Sequence, residues 1–273
     1  MNTESRNSRS FGLDKMSAQE IARLMNEEDH TVLAAMRAVE QSIALAAEKI
    51  AETYNRGGRT FYIGAGTSGR IAVADAAEMP PTFGIESDRF IAIQAGGQGA
   101  VRQSVEDAED DEHSAITALN NANANRNDIV IGLSASGWTP FVLAAIRHAR
   151  QKGIWTCGIA NATQSPIIEE ATLGILLDTG PEILTGSTRL KAGTSQKLAL
   201  NQISTAAMVL CGKVIENLMV DLVPKNTKLK ERCVRIVRDL TTATEDEARE
   251  CLLKNNWDIR AVLAQIRQTA VSF

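Results

Sequence analysis

Val32, Met36, Val39, Ile43, Ala47, Ile50 and Tyr54 recur at steps of three and four residues, and this spacing predicts one long amphipathic helix over 30–56. The Gly57-Gly58 pair stops it. The period then changes. "RTFYIGAG" reads as a short buried strand that feeds a glycine loop, and similar runs follow at "DRFIAIQAGG" (88–97), "NDIVIGLSASG" (127–137), "WTCGIAN" (155–161) and "LGILLDTG" (173–180). Short apolar strands that alternate with helices and close on Gly or Ser mark a mostly parallel sheet covered on both faces. A second long helix is expected over 194–220, with Leu200, Ile203, Ala207, Leu210, Val214 and Leu218 along one stripe and little polar relief elsewhere. Such a helix is buried in the fold or against a second subunit. After Pro224, "KLKERCVRIVRDL", "TEDEARECLLKN" and "NWDIRAVLAQIRQ" read as three short helices, with Asn256 or Asp258 capping the last.

Composition narrows the class without changing this outline. A chain of 273 residues with 44% hydrophobic and 23% charged content is an ordinary globular protein, long enough for one large domain and an appendage. We divide it into a main α/β domain, 1–225, and a small three-helix, UBA-like subdomain, 226–273. The net charge of −4, with basic residues scattered among acidic ones, argues against nucleic acid as a partner. Cys157, Cys211, Cys233 and Cys251 form no C-x-x-C pair, which suggests neither a zinc site nor a disulfide framework and fits a reducing compartment. No leader-like segment or membrane-length apolar run is seen, so a cytoplasmic location without membrane contact is expected. His30, His113 and His148 lack metal-ligand spacing.

Candidate chemistry starts at "GAGTSGR", where Gly64, Gly66 and Gly69 give the G-x-G-x-x-G spacing of a dinucleotide loop. That reading also needs an acid at the end of the next strand to hold a ribose. Asp88 precedes the strand, and its end reads "QAGG". What survives is anion binding by backbone amides and a helix start at Thr67, Ser68 and Gly69, against the blander reading of a tight turn. A second loop, "SASGWT", sets Ser134, Ser136 and Thr139 around Gly137 just before another helix. Each hydroxyl alone would be an N-cap; two such loops together suit a sugar phosphate. Among carboxylates, Glu78 in "DAAEMPPTFG" stands directly ahead of Pro80-Pro81, which are expected to end its helix and leave Glu78 at the negative end of the dipole. There the charged form is disfavoured, as a general acid or base requires, although on this observation alone a solvated surface glutamate is the better reading. "EDAEDDEH" (106–113) is mostly a hydrated face, from which Glu106 or Glu109 could point at the ligand.

"TESRN", "GAGTSGR", "AAEMPPTFG", "QAGG" followed by "EDAED", "SASGWTP", "PEILTGSTRLKAGTSQKLALN" and "GKVIENLMVDL", in this order and over almost the whole chain, resemble the N-acetylmuramic acid 6-phosphate etherase family of the sugar isomerase (SIS) superfamily. The resemblance implies a three-layer α-β-α domain with a five-stranded, mostly parallel, flavodoxin-like sheet, and cleavage of a lactyl ether by elimination without metal or redox cofactor. It implies that Glu78 protonates the departing ether oxygen and that Glu109, with Glu106 as runner-up, acts at C2. It further implies that Gly66, Thr67, Ser68, Ser134, Ser136 and Thr139 bind the phosphosugar. Lys191 and Arg189 would add positive charge to the ligand or serve as structural ion-pair partners, and a homodimer is expected. Met79 stands where the family commonly has Cys, and Trp138 where it commonly has Arg, which removes a cation beside the phosphate loop. An aldose–ketose isomerase or a phosphosugar-binding regulator would use the same fold.

Overall fold

A computed structural model describes residues 2–103, 105 and 107–271. The chain forms two compact units, 1–77 with 88–207 and 78–87 with 208–273. In the larger unit the strands β1 (Thr60–Gly64), β2 (Phe90–Gln94), β3 (Ile129–Ser134), β4 (Trp155–Ala160) and β5 (Leu173–Leu176) make one parallel sheet in the order β2-β1-β3-β4-β5. Alternation along β1 assigns the two faces. Phe61 and Ile63 join the core built with α6 (Glu112–Asn121), α7 (Pro140–Gln151) and α8 (Pro166–Glu170). Tyr62 points the other way, where its hydroxyl donates to Asp75 Oδ2 at 3.1 Å on α4 (Gly66–Phe83). On that side Asn201 and Ser204 of α9 (Lys191–Leu210) also donate to Asp75, at 2.9 and 3.2 Å. Burial drives the Asp75 carboxyl above its ordinary range, against these three hydrogen bonds. The expected three-layer α/β fold with five parallel strands is what the chain adopts, and β2-β1-β3-β4-β5 is the flavodoxin-like order.

Three helix boundaries depart from the sequence reading. The helix expected over 30–56 is two, α2 (His30–Ala38) and α3 (Glu40–Asn55), which follow α1 (Ala18–Glu28). Val39, at φ −117° and ψ 12°, leaves the helical region between them. Val32, Met36, Ile43, Ala47 and Ile50 stay buried on both sides, so apolar spacing carries no trace of the break. The helix expected over 194–220 stops at Leu210. Gly212 takes a φ of 72°, its amide donates to the Val209 carbonyl and that of Lys213 to Met208, the Schellman pattern that ends a helix. Val214 and Leu218 then fall in a two-stranded hairpin, β6 (Val214–Ile215) and β7 (Leu218–Met219), and Leu210 is exposed. Finally, α4 does not end before Pro80. It continues through both prolines to Phe83, with Met79 and Phe83 buried and the Gly84 amide closing on the Pro80 carbonyl at 2.9 Å. Burial of those two side chains outweighs the amides that the prolines cannot donate.

In the smaller unit, α10 (Thr227–Leu240), α11 (Glu245–Lys254) and α12 (Ile259–Val271) share a core of Cys233, Val234, Val237, Leu252 and Val262. Asn226 caps α10, Thr244 and Glu247 form a capping box on α11, and Asp258 accepts from the Ala261 amide to cap α12. Arg260 ties this core to Asp221.

Candidate active site

Sheet order brings the two predicted loops side by side. Gly64 at the end of β1 pairs in register with Gln94 on β2 and with Leu133 on β3. The β1 and β3 connections leave neighbouring strands at the switch point of the sheet, where open α/β folds place their ligands. In the loop after β3, the hydroxyls of Ser136 and Thr139 both gather on that of Ser134. Ser134 Oγ, buried, accepts from the Gly137 amide at 2.9 Å and lies 2.8 Å from Thr139 Oγ1 and 3.3 Å from Ser136 Oγ. Ser136 Oγ in turn accepts from the Trp138 amide at 3.2 Å, and the Trp138 indole N–H donates to the Gln164 carbonyl at 2.9 Å. Thr139 is the N-cap of α7, yet its side chain makes no cap hydrogen bond and Pro140 fills the first position. The first free amides of α7 therefore stay available to an anion.

Across the switch point, Gly66 and Thr67 open α4 and Ser68 is buried in its first turn. Gly66 lines a cavity of about 180 Å³ together with Arg70, Gln94, Asp107 and Glu109. Glu109 is exposed, on the single turn Ala108–Asp110. Arg70 holds the preceding segment by donating to the carbonyls of Val101 at 3.1 Å and Gln103 at 3.4 Å. Glu106, the sequence runner-up, lies outside the described residues. Glu78 is exposed on α4, ten positions beyond Ser68 in the sequence and within the segment 78–87 of the smaller unit. With the helix running on to Phe83, Glu78 is not at its last residue, as the double proline had suggested.

Lys191 is placed differently from the phosphate-facing option. It is 3% exposed, and its Nζ lies 2.7 Å from Glu28 Oε2. Asn7 Nδ2 donates to the same oxygen at 2.7 Å, and Arg9 reaches Glu28 Oε1 at 2.9 Å. Burial pushes the Glu28 carboxyl up, but the bonds from Lys191 and Asn7 outweigh it and hold the group below its ordinary value. Glu182, 1% exposed, accepts from the amides of Lys191 and Ala192 at 3.0 and 2.9 Å, so a carboxylate already occupies the start of α9. Its own carboxyl is driven up by burial against those bonds. Lys191 is thus the ion-pair partner that the sequence left as its second option, and Arg189 is exposed. Glu28 and Glu182 were not singled out from the sequence. Glu182 stands in the motif-rich "PEILTGSTRLK", whereas Glu28 lies in the acidic run "NEEDH", where nothing local sets it apart from Glu27 and Asp29.

The glucokinase regulatory protein N-terminal SIS domain family matches residues 42–150, the SIS domain family 103–206, and the C-terminal lid domain of glucokinase regulatory protein 216–273. An N-acetylmuramic acid 6-phosphate etherase from Lactobacillus acidophilus is 45% identical over 98% of this chain and 90% of its own length. One from Clostridium beijerinckii is 45% identical over 96% of this chain and 86% of its own. Among solved structures, the phosphoheptose isomerase of Neisseria gonorrhoeae aligns with a TM-score of 0.52 at 18% identity, covering 71% of this chain and 98% of its own. A phosphoheptose isomerase of Francisella tularensis aligns with a TM-score of 0.50 at 17% identity, covering 71% and 100%. At these identities the structural likeness speaks for the fold.

Proposed function

The chain belongs to the N-acetylmuramic acid 6-phosphate etherase family, and from that premise we propose that it cleaves the lactyl ether of N-acetylmuramic acid 6-phosphate through Glu78 and Glu109. The observation that carries this reading is the shared cavity of Glu109 and Gly66, next to the strand whose following loop holds the hydroxyl cluster of Ser134, Ser136 and Thr139. The hydroxyls, the amides of Gly66, Thr67 and Ser68, and the start of α7 hold the 6-phosphate. In the ring-opened sugar the C1 aldehyde acidifies the C2 proton. Glu109 takes that proton, the C2–H electrons form the C2=C3 double bond, and the C3–O bond breaks as Glu78 protonates the departing ether oxygen. D-lactate leaves. Water then adds across the double bond, its hydroxyl to C3 and a proton to C2, giving N-acetylglucosamine 6-phosphate. Lys191 stays outside this chemistry, because its charge is neutralised by Glu28. No cofactor takes part in these steps, so a chelator leaves the rate unchanged.

Glu109→Gln tests the assignment. Lactate release should fall about 10²- to 10⁴-fold, the usual contribution of a positioned acid or base, with unchanged thermal stability. An unaltered rate would remove Glu109 from the mechanism. The same reading expects two copies per functional unit and a cytoplasmic location. In support, α3 and α9 flank an apolar groove that includes Ile43, Ala44, Leu198 and Ala206, and no helix among the described residues is long and apolar enough to cross a membrane. Light scattering that reports a monomer at working concentration would overturn the dimer.

A further inference from the structure

The segment that carries Glu109 has few anchors of its own. After β2 it passes through α5 (Gly99–Arg102), a single helical turn, to the turn Ala108–Asp110. One anchor is apolar. Ala108 packs on the core shared with α7, and a Cβ on Gly96, at φ 78°, would stand 3.0 Å from those of Ala100 and Val105 and 3.2 Å from that of Ala108. The other anchor is Arg70. Its Nε and Nη2 donate to the carbonyls of Val101 and Gln103 at 3.1 and 3.4 Å, acceptors that the end of α5 leaves over. Among hydrogen bonds between described residues, Arg70 is the one side chain from outside 96–110 that bonds within it.

Arg70 stands one turn along α4 from Gly66. Residues four apart share one face of a helix, and Gly66 and Arg70 accordingly line the same cavity as Glu109. One side chain thus spans from the helix start proposed to take the phosphate to the segment that bears the proposed base. We infer that Arg70 is the positioning residue for Glu109: it fixes the separation between the phosphate-binding turn and the carboxylate, so that a sugar held by its 6-phosphate presents C2 to Glu109. It acts through the segment it holds, without touching the reacting atoms. The inference rests on the proposed role of Glu109. Arginine suits the task because its rigid, planar fork meets two carbonyls at once, which the single ammonium of lysine does not.

The test is a double-variant cycle of Arg70→Met and Glu109→Gln, read as lactate release from N-acetylmuramic acid 6-phosphate and as calorimetric binding of N-acetylglucosamine 6-phosphate. Arg70→Met alone should lower kcat about 10- to 10²-fold, as misplacing a reacting group by an ångström does, while KM and the affinity for N-acetylglucosamine 6-phosphate stay within about 2-fold of the wild type. In the Glu109→Gln background the same substitution should lower kcat no further, because residues that act as a unit are not additive. An equal fall in both backgrounds, or a loss of affinity for N-acetylglucosamine 6-phosphate, would make Arg70 a substrate ligand and overturn the inference. An unchanged kcat would do the same. Amide exchange answers without turnover: α5 and the turn Ala108–Asp110 should exchange faster in Arg70→Met while β3 does not, and equal exchange in both proteins would again overturn it. Arg70→Lys, which keeps the charge and one donor, should recover part of kcat, and it takes the place of the methionine variant in every measurement if that one does not fold. A wild type that shows this exchange difference from its variant but releases no lactate would count against the etherase reading alone.

Discussion

Two polar clusters of the larger unit look alike in sequence and differ in what their side chains still need. Around Lys191 both buried carboxylates have hydrogen-bond donors: Glu28 takes Lys191, Asn7 and Arg9, and Glu182 takes the amides of Lys191 and Ala192. At the carboxyl ends of β1, β2 and β3 the hydroxyls of Ser134, Ser136 and Thr139 bond one another, but other polar groups are left open. Thr139 leaves the start of α7 uncapped, and Glu109 is exposed over a cavity. The buried, satisfied residues of the first cluster hold the fold together, and under the proposed function the open groups of the second are the ones a ligand would meet. Position within a shared motif does not separate the two.

The sharpest way to break this comparison is to remove one partner of the satisfied cluster. Lys191→Met leaves Glu28 buried without its main counter-charge, and should cost about 3–5 kcal/mol of stability by denaturant titration, the usual penalty for such a loss. Adding Glu28→Gln should recover most of it, because two neutral groups replace one stranded charge. If Lys191→Met instead raised KM at unchanged stability, the pair would belong to the site. Next in size is the hydroxyl cluster: Ser134→Ala should raise KM about 3- to 10-fold through weaker phosphate binding, while the melting temperature moves little. A large loss of stability with unchanged KM would make Ser134 purely structural.

A pH titration sharpens the contrast more gently. Glu28 has its folded pKa depressed, so the stability it contributes is present above the unfolded value of about 4.3 and is lost as pH falls through the folded value. Asp75 and Glu182 have folded pKa values raised by burial, so their contribution runs the other way, present at low pH and lost as pH rises. The Glu28→Gln, Lys191→Met double variant should therefore lack part of the acid-side fall that the wild type shows; identical acid limbs would remove Glu28 from the account. The smallest effect is expected at Trp138→Phe, which deletes the indole bond to Gln164 and should loosen the serine loop by about 0.5–1.5 kcal/mol. It is read as a modest rise in KM for the phosphosugar.

What could be read from sequence follows the range of the interactions involved. The five strands and both loops were legible because apolar runs ending in Gly or Ser are local patterns. The break at Val39 was not, since one residue outside helical geometry leaves the apolar stripe intact. The end of α9 was signalled by Gly212, but the continuing stripe of Val214 and Leu218 masked it. At Pro80-Pro81 the local rule lost to the burial of Met79 and Phe83. The Glu28–Lys191 pair joins residues 163 positions apart, beyond any local pattern.

The central claim, that this chain is a carboxylate-driven etherase, is tested most directly by D-lactate release from N-acetylmuramic acid 6-phosphate, measured in chelator without nucleotide, for the wild type beside Glu78→Ala. The account predicts lactate from the wild type and a rate lower by about 10²-fold or more from the variant, with both proteins folded. No lactate from a folded wild type that still binds the phosphosugar, or an equal rate from the variant, would contradict it.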